Sequence, residues 1–363
     1  MIPLYKPHMP PLPELDDILH SGQLAYGKYA RSFEENLQNF LGKDAHVWVT
    51  NSFHMAISVA ISLLEIHPFD EVIASPMACL ASTQPFAAQA IKVRWADVDP
   101  HTGTLDPGSV KEKINRKTRA IMHNHFCGYP GYIDEINEIG KECGIPVIDD
   151  GIECFGSEYK GKRIGNCGTD ITIFSFNAVR LPNTVDGGAI VINAPELYRK
   201  AELIRDCGIN RGKFRDELGE INTECDITLT GYSATMSDVN AYIGLQQMKD
   251  MDGILKAQHQ QAELWKRELD MYMDIQIIQR EEIYPNYWIF GILVPDKRTY
   301  IQRFREKGWY ASGVHLNNNV YSVFGKEETL PGVQEFYDHF VALPCGWWIG
   351  EEQLCKKENV KFV

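Results

Sequence analysis

Residues 170–191 read DITIFSFNAVRLPNTVDGGAIV, and the way this stretch must run decides the fold. Ile171 to Phe176 is an apolar run of β-branched and aromatic residues, which favour a pleated, buried backbone, so it is expected as a strand. A polar loop containing a proline interrupts it. Gly187 and Gly188 then let the backbone turn without a Cβ penalty, and Ala189 to Ile192 begins a second strand. Strand, exposed loop and return strand put Ser175, Asn177 and Arg180 at the carboxyl edge of a sheet, where open α/β folds bind their ligands.

Working outward, the preceding residues alternate between strand and helix patterns. HVWVT, from His46, is a short apolar strand, and Asn51-Ser52 supplies an N-cap for a helix over 53–64. EVIAS, a helix over 79–90, IKVRWADVD, a helix opened by Asp106-Pro107, TRAIMHNHF, an amphipathic helix closed by Gly144 and the strand IPVIDD follow in turn. This alternation implies parallel strands joined by right-handed crossovers, a three-layer α/β/α domain with a mostly parallel sheet. Before it, an extended proline-rich arm leads to a helix from about Arg31, with Phe33, Leu37, Phe40 and Leu41 on one face and Gly42 as its stop.

After the opening stretch come a helix over 194–208 and a long polar segment over 208–231, which in a compact domain is functional or covers a neighbour. Two long helices are expected over 236–251 and 254–273, after which IQIIQ, YWIFGILV, TYIQRFREKG and WYASGVHL suggest a small α+β domain. The expected division is a large domain with its amino-terminal arm over 1–250 and a small carboxyl-terminal domain over 251–363.

Composition narrows the function. A chain of 363 residues, 44% of them hydrophobic, can fill both cores. A formal net charge of −13 repels phosphate backbones, so nucleic acid is not an expected partner, while a local basic pocket for a nucleotide diphosphate stays open. No apolar run approaches the roughly 20 residues that span a bilayer. The amino terminus has prolines and carboxylates where a signal peptide has an apolar stretch, so a soluble cytoplasmic protein without a membrane partner is expected. The nine cysteines include no C-x-x-C pair, which fits reduced thiols rather than a disulfide framework or a zinc site. Cys79, Cys127 and Cys154 are expected as packing residues.

The FSF of the opening stretch, its short loop and the following D-G-G resemble the cofactor-lysine segment of the DegT/StrS-type sugar aminotransferases. These are fold-type-I enzymes dependent on pyridoxal phosphate (PLP). The resemblance covers nearly all of residues 1–350 and includes the S-G, G and F-E order of the amino-terminal segment, which in the family crosses to a second subunit. The family's lysine lies four residues after the second Phe, and here that position is Arg180. A guanidinium stays protonated at ordinary pH and cannot form a Schiff base, so any PLP or pyridoxamine phosphate (PMP) would be held noncovalently.

Other positions follow from the same resemblance. V-I-D-D-G-I-E-C-F-G at 147–156 is similar to the family's V-I-E-D-A-A-Q-A-x-G, which implies that Asp150 pairs with the pyridinium nitrogen and that Glu153 replaces a Gln or His beside the ring. As a lone residue, Asp150 would read as a strand-end carboxylate capping nearby amides. Asn51, Ser52, Phe53 and His54 stand where relatives have an N-S-G-T phosphate cup. His54 reads equally as a protonated phosphate ligand or as a partly exposed helix residue. Leu80 takes the place of the stacking aromatic, and Ser175 keeps the phosphate hydroxyl. Ser233 and Thr235 replace the Asn and Arg of a segment that reaches the neighbouring subunit's cofactor. His315 matches a family histidine at the substrate mouth, with a surface-loop residue as its plainer reading.

Weaker signals remain. His123 and His125 share a strand face, but with no acid or third ligand at metal spacing they read as packing or loop-anchoring residues, and no metal is expected. Trp347 and Trp348 are expected to close the small domain's core, with sugar stacking as the alternative. Lys160 and Lys162 are expected in solvent.

The resemblance thus implies a homodimeric family member that moves an amino group from glutamate to a keto-sugar nucleotide in nucleotide-sugar or surface-polysaccharide biosynthesis. Two alternatives stand beside it. The chain could be a non-catalytic sugar-nucleotide binding protein or partner subunit of an active paralogue. Arg180 could instead use its planar fork to hold a carboxylate or phosphate in the cofactor pocket.

Overall fold

The computed structural model describes residues 1–42, 44–325 and 328–350. Its centre is a seven-stranded sheet built from β1 (His46–Thr50), β2 (Glu71–Ala74), β3 (Lys92–Trp95), β4 (Thr118–Asn124), β5 (Val147–Asp150), β6 (Ile171–Ser175) and β7 (Gly188–Ile192). The strands lie in the order β1-β7-β6-β5-β4-β2-β3. β7 runs antiparallel to both its neighbours, and the β6–β5, β5–β4, β4–β2 and β2–β3 pairs are parallel. β1, β2, β5, β6 and β7 are buried along almost their whole length, as expected of a sheet covered on both faces, while the edge strand β3 alternates. This is the fold-type-I α/β architecture the opening stretch implied.

Register brings the important residues together. Asn124 lies opposite Asp150, and Asp150 opposite Ile173, so β4, β5 and β6 end side by side. Gly188 on β7 faces Ser175 on one side and Thr50 on the other, which sets Ser175 next to the start of the helix Phe53–Leu63. Ser52 caps that helix, its hydroxyl accepting from Met55 N at 3.2 Å. Gly188 is needed here because a Cβ would lie 3.0 Å from the backbone of both Ser52 and Phe53, and backbone cannot swing aside. Gly188→Ala is therefore expected to cost about 1–3 kcal/mol of stability, measured by denaturant unfolding, and to weaken any anion binding at that helix start.

The carboxyl-terminal half differs from the sequence expectation in one element. The two helices expected around residue 252 are a single helix, Asp238–Leu269. Gly253 is an isolated helix glycine, a penalty of only about 1 kcal/mol. Buried Met251, Ile254, Leu255, Gln258, Gln261, Ala262, Trp265 and Leu269 carry one apolar face straight past it. The boundary drawn at 250–251 falls inside this helix. On its first half the helix packs against Lys28–Leu41, where Gly244 allows Phe33 so close that a Cβ would meet the ring at 2.5 Å. A three-stranded antiparallel sheet of Gln276–Ile277, Phe290–Leu293 and Phe340–Leu343 forms the small layer near the carboxyl terminus. Residues 351–363, the end of the expected small domain, lie outside the described residues. No helix among the described residues is long and apolar enough to cross a membrane.

The arm lies on its own chain. Ile2 N donates to Gly308 O at 2.7 Å and Tyr310 N to Ile2 O at 3.0 Å. Trp348 Nε1 donates to Pro3 O at 3.2 Å, and Trp347 meets His8 edge-on, so both tryptophans pin the arm.

Candidate active site

At the carboxyl edge of β5, alternation sends Asp149 and Asp150 to opposite sides of the sheet, and the neighbouring strand β4 supplies a partner for each. On the site side, Asn124 Nδ2 lies 3.3 Å from Asp150 Oδ2, and Ile152 N donates to Asp150 Oδ1 at 3.2 Å. Asp150 is completely buried and makes no ion pair with any described residue. Burial raises its carboxyl above the ordinary range, against the lowering pull of the Ser82 hydroxyl, the Asn124 amide and the Ile152 N–H.

On the opposite side, Asp149 corrects the reading of the two histidines as lacking an acid. His123 Nδ1 lies 3.0 Å and His125 Nε2 3.5 Å from Asp149 Oδ1, all three side chains being buried. Gly131 N donates to His125 Nδ1 at 3.1 Å, so the proton of that ring sits on Nε2 and faces the carboxylate. A metal ion at Nε2 would have to displace that proton. Despite the burial that raises it, the Asp149 carboxyl is driven well down by the two rings, and burial lowers His123. The acid was legible in the strand ends MHNH and VIDD, had they been placed side by side.

The second cluster is built on Glu153, in the turn after β5. Its side chain is buried and engaged from three sides. His315 Nε2 lies 2.9 Å from Oε1, Arg180 Nη1 lies 3.2 Å from the same oxygen, and Cys127 N donates to Oε2 at 2.9 Å. Burial alone would raise this carboxyl, but the His315 and Arg180 charges and the His315 and Cys127 N–H bonds outweigh it and hold it well below the usual range. The Cys127 thiol, buried beside this carboxylate, is pushed far up and stays protonated.

Arg180 sits on the loop between β6 and β7, only 6% exposed. Its backbone N donates to Asn177 O at 2.8 Å, and its carbonyl accepts from Tyr5 OH at 2.9 Å. The guanidinium lies over the Trp288 ring at 4.6 Å, while Trp288 Nε1 donates to Val179 O at 3.0 Å. Arm, loop and Trp288 thus aim the guanidinium at Glu153. Its Nη1 approaches Glu153 off the hydrogen-bond axis, and both Nε and Nη1 are buried without an acceptor. Among the described residues, no lysine is a hydrogen-bond or ion-pair partner of Asp150, Glu153 or Arg180.

The other expected residues are distributed as follows. Ser175 is buried at the end of β6, its hydroxyl 3.4 Å from Asn177 N, and Asn177 is exposed. Phe53 packs into the core while His54 is exposed. Leu80 opens the helix Leu80–Ala88 with 36% of its surface exposed. Ser233 is exposed, its carbonyl accepting from Asn51 Nδ2 of the same chain at 3.0 Å, and Thr235 bridges Thr50. Lys160 pairs with Asp134 at the surface, and Lys162 is exposed. Tyr5, Trp288, the Cys127 N–H and Asp149 were not anticipated; the first two lay in an arm and an apolar run with nothing to mark them.

A mostly parallel sheet with buried acids at its carboxyl edge, and charged groups converging from the following loops, defines a PLP-transferase-type scaffold. The chain belongs to the DegT/DnrJ/EryC1/StrS aminotransferase family, whose profile it matches over residues 11–356. It is similar to the sugar aminotransferase CalS13 from Micromonospora echinospora, with a TM-score of 0.91 and 26% identity over 99% of both chains. It is 28% identical over 330 residues to GDP-perosamine synthase from Escherichia coli O157:H7, covering 88% of this chain and 83% of that one. Over 250 residues it is 31% identical to the UDP-4-amino-4,6-dideoxy-N-acetyl-beta-L-altrosamine transaminase of Campylobacter jejuni, covering 68% of this chain and 63% of that one.

Proposed function

We propose that this chain is a sugar aminotransferase acting on a keto-sugar nucleotide in nucleotide-sugar or surface-polysaccharide biosynthesis, with glutamate as amino donor and PLP or PMP held without a covalent bond. The observation that carries this reading is the buried Arg180–Glu153 pair beside Asp150, with Arg180 at the family's lysine position. The residues fit such a cofactor: Asp150 is a buried carboxyl without a cation, the complement of a protonated ring nitrogen. Ser175, the Ser52 hydroxyl and the amides at the start of the helix Phe53–Leu63 suit the phosphate. When bound, the cofactor supplies an electron-accepting ring. Leu80 and Asn177 would border that ring and His54 its rim, and the Arg180 guanidinium and the His315 N–H would keep Glu153 from repelling the ring's phenolate. A cytoplasmic homodimer, with Ser233 at the contact between copies, completes the reading.

The test is an absorption spectrum after reconstitution with PLP, followed by borohydride. A bound-cofactor band that leaves no adduct on the protein is expected. A borohydride-stable adduct on a pocket lysine would defeat the noncovalent assignment, and no band at saturating PLP would favour the non-catalytic partner subunit.

A further inference from the structure

We propose that the same pocket carries a cofactor-independent activity. This is exchange of the proton on the carbon next to the keto group of a keto-sugar nucleotide, with His315 as the base and Arg180 holding the carbonyl oxygen. The inference rests on the reading of the pocket as a keto-sugar site.

A base working near neutral pH needs a lone pair that substrate can reach. Arg180 stays protonated, Asp150 has no exposed surface, and the Glu153 carboxylate is already engaged by His315, Arg180 and the Cys127 N–H. His315 remains. Its Nε2 faces a carboxylate that only accepts, so that nitrogen carries the proton and the lone pair is on Nδ1. Nδ1 has no hydrogen-bond partner among the described residues, and the side chain is 14% exposed against 1% for Glu153. Phe126 meets the ring edge-on at 6.0 Å and limits its rotation. The pairing of a buried carboxylate with an imidazole whose far nitrogen is free is the arrangement that orients a histidine base and stabilises it once protonated.

Arg180 supplies the second half. Its Nε and Nη1 are buried without a hydrogen-bond acceptor, so an incoming oxygen would meet the guanidinium through the remaining N–H donors on Nη2, which bond to no described residue. A ketone oxygen gains negative charge as the neighbouring C–H breaks, so these donors bind the developing enolate more tightly than the ketone, which is the condition for catalysis. His315 and Arg180 approach the same oxygen of Glu153, at 2.9 and 3.2 Å, so base and donor lie on adjacent sides of one point.

The step balances without an oxidant or amino donor. The C–H bond breaks and its proton goes to His315 Nδ1. The bonding pair becomes the carbon–carbon double bond, and the carbonyl π pair moves to the oxygen against Arg180. The imidazolium, facing Glu153, exchanges that proton with solvent and returns a solvent-derived one to carbon, and the pair on oxygen re-forms the ketone.

The experiment uses the purified chain, freed of PLP and PMP as judged by the absence of pyridoxal absorbance. It is given UDP- or GDP-linked 4-keto-6-deoxyhexose in deuterated water without glutamate. Mass spectrometry follows deuterium gain, NMR locates it, and calorimetry measures binding of the same nucleotide. The expected result is deuterium beside the keto group, entering faster than in buffer. His315→Asn should lower the saturated rate about 100-fold or more. Glu153→Gln should lower that rate with unchanged nucleotide affinity, a split that a merely structural role would not produce. If either nucleotide binds but deuterium enters only at the buffer rate, or His315→Asn exchanges like the parent, this proposal is overturned while the aminotransferase reading stands. If neither nucleotide binds, both are overturned.

Discussion

Replacing Arg180 by lysine and Glu153 by glutamine in one chain is expected to give a protein that PLP modifies at residue 180 and borohydride fixes there, where the parent gains nothing at that position. An imine needs a neutral amine, which the guanidinium never provides. Lysine alone is not enough. The Arg180 guanidinium sits 3.2 Å from a buried Glu153 carboxylate, and an ammonium placed there would be held in its charged form. Removing that charge while keeping an amide of the same shape leaves one oxygen to accept from the Cys127 N–H and frees the lysine to lose its proton. The order of adduct formation should therefore be double variant, then Arg180→Lys alone, with the parent at zero. Peptide mass spectrometry after borohydride reads it directly. A double variant that binds PLP without forming the adduct would show that residue 180 does not face the ring.

That two substitutions must be made together explains what could be read from the sequence and what could not. The sheet was legible because its strands are apolar runs separated by helices, and packing on both faces leaves such a run little other conformation. Glu153, Arg180 and His315 were each visible as departures or matches. Their convergence was not, because it depends on parallel neighbours β5 and β6 placing two loops together, and on a third residue 162 positions from Glu153. The single helix Asp238–Leu269 was missed because a glycine in a polar-faced stretch reads as a break, although the buried face continues through it. Tyr5 and Trp288 were invisible for a plainer reason. An aromatic ring in an apolar segment looks the same whether it packs on aliphatics or on a guanidinium.

Arg180→Ala should be the most destabilising substitution in the site, by about 3–5 kcal/mol at neutral pH, because it leaves a buried carboxylate without its guanidinium. The loss should be partly recovered by adding Glu153→Gln, which removes the stranded charge. A double-mutant cycle from denaturant unfolding then isolates the coupling between the two residues. The pH dependence gives an independent check. Burial would raise Glu153, but His315 and Arg180 overcome it and depress the folded carboxyl below its unfolded value. Its contribution is therefore fully present above the unfolded value and is lost as pH falls through the unfolded and towards the folded one. In Arg180→Ala the depression shrinks, so less stability remains to be lost. The stability gap between parent and variant should be widest at neutral pH and should narrow on acidification through the ordinary carboxylate range. Groups that titrate alike in both proteins cancel in that difference. A gap that stays constant through this range would mean that the lost Trp288 contact, rather than the Glu153 charge, accounts for the cost. A pair buried this deeply is screened far less than a surface one, so the neutral-pH gap should persist when salt is added.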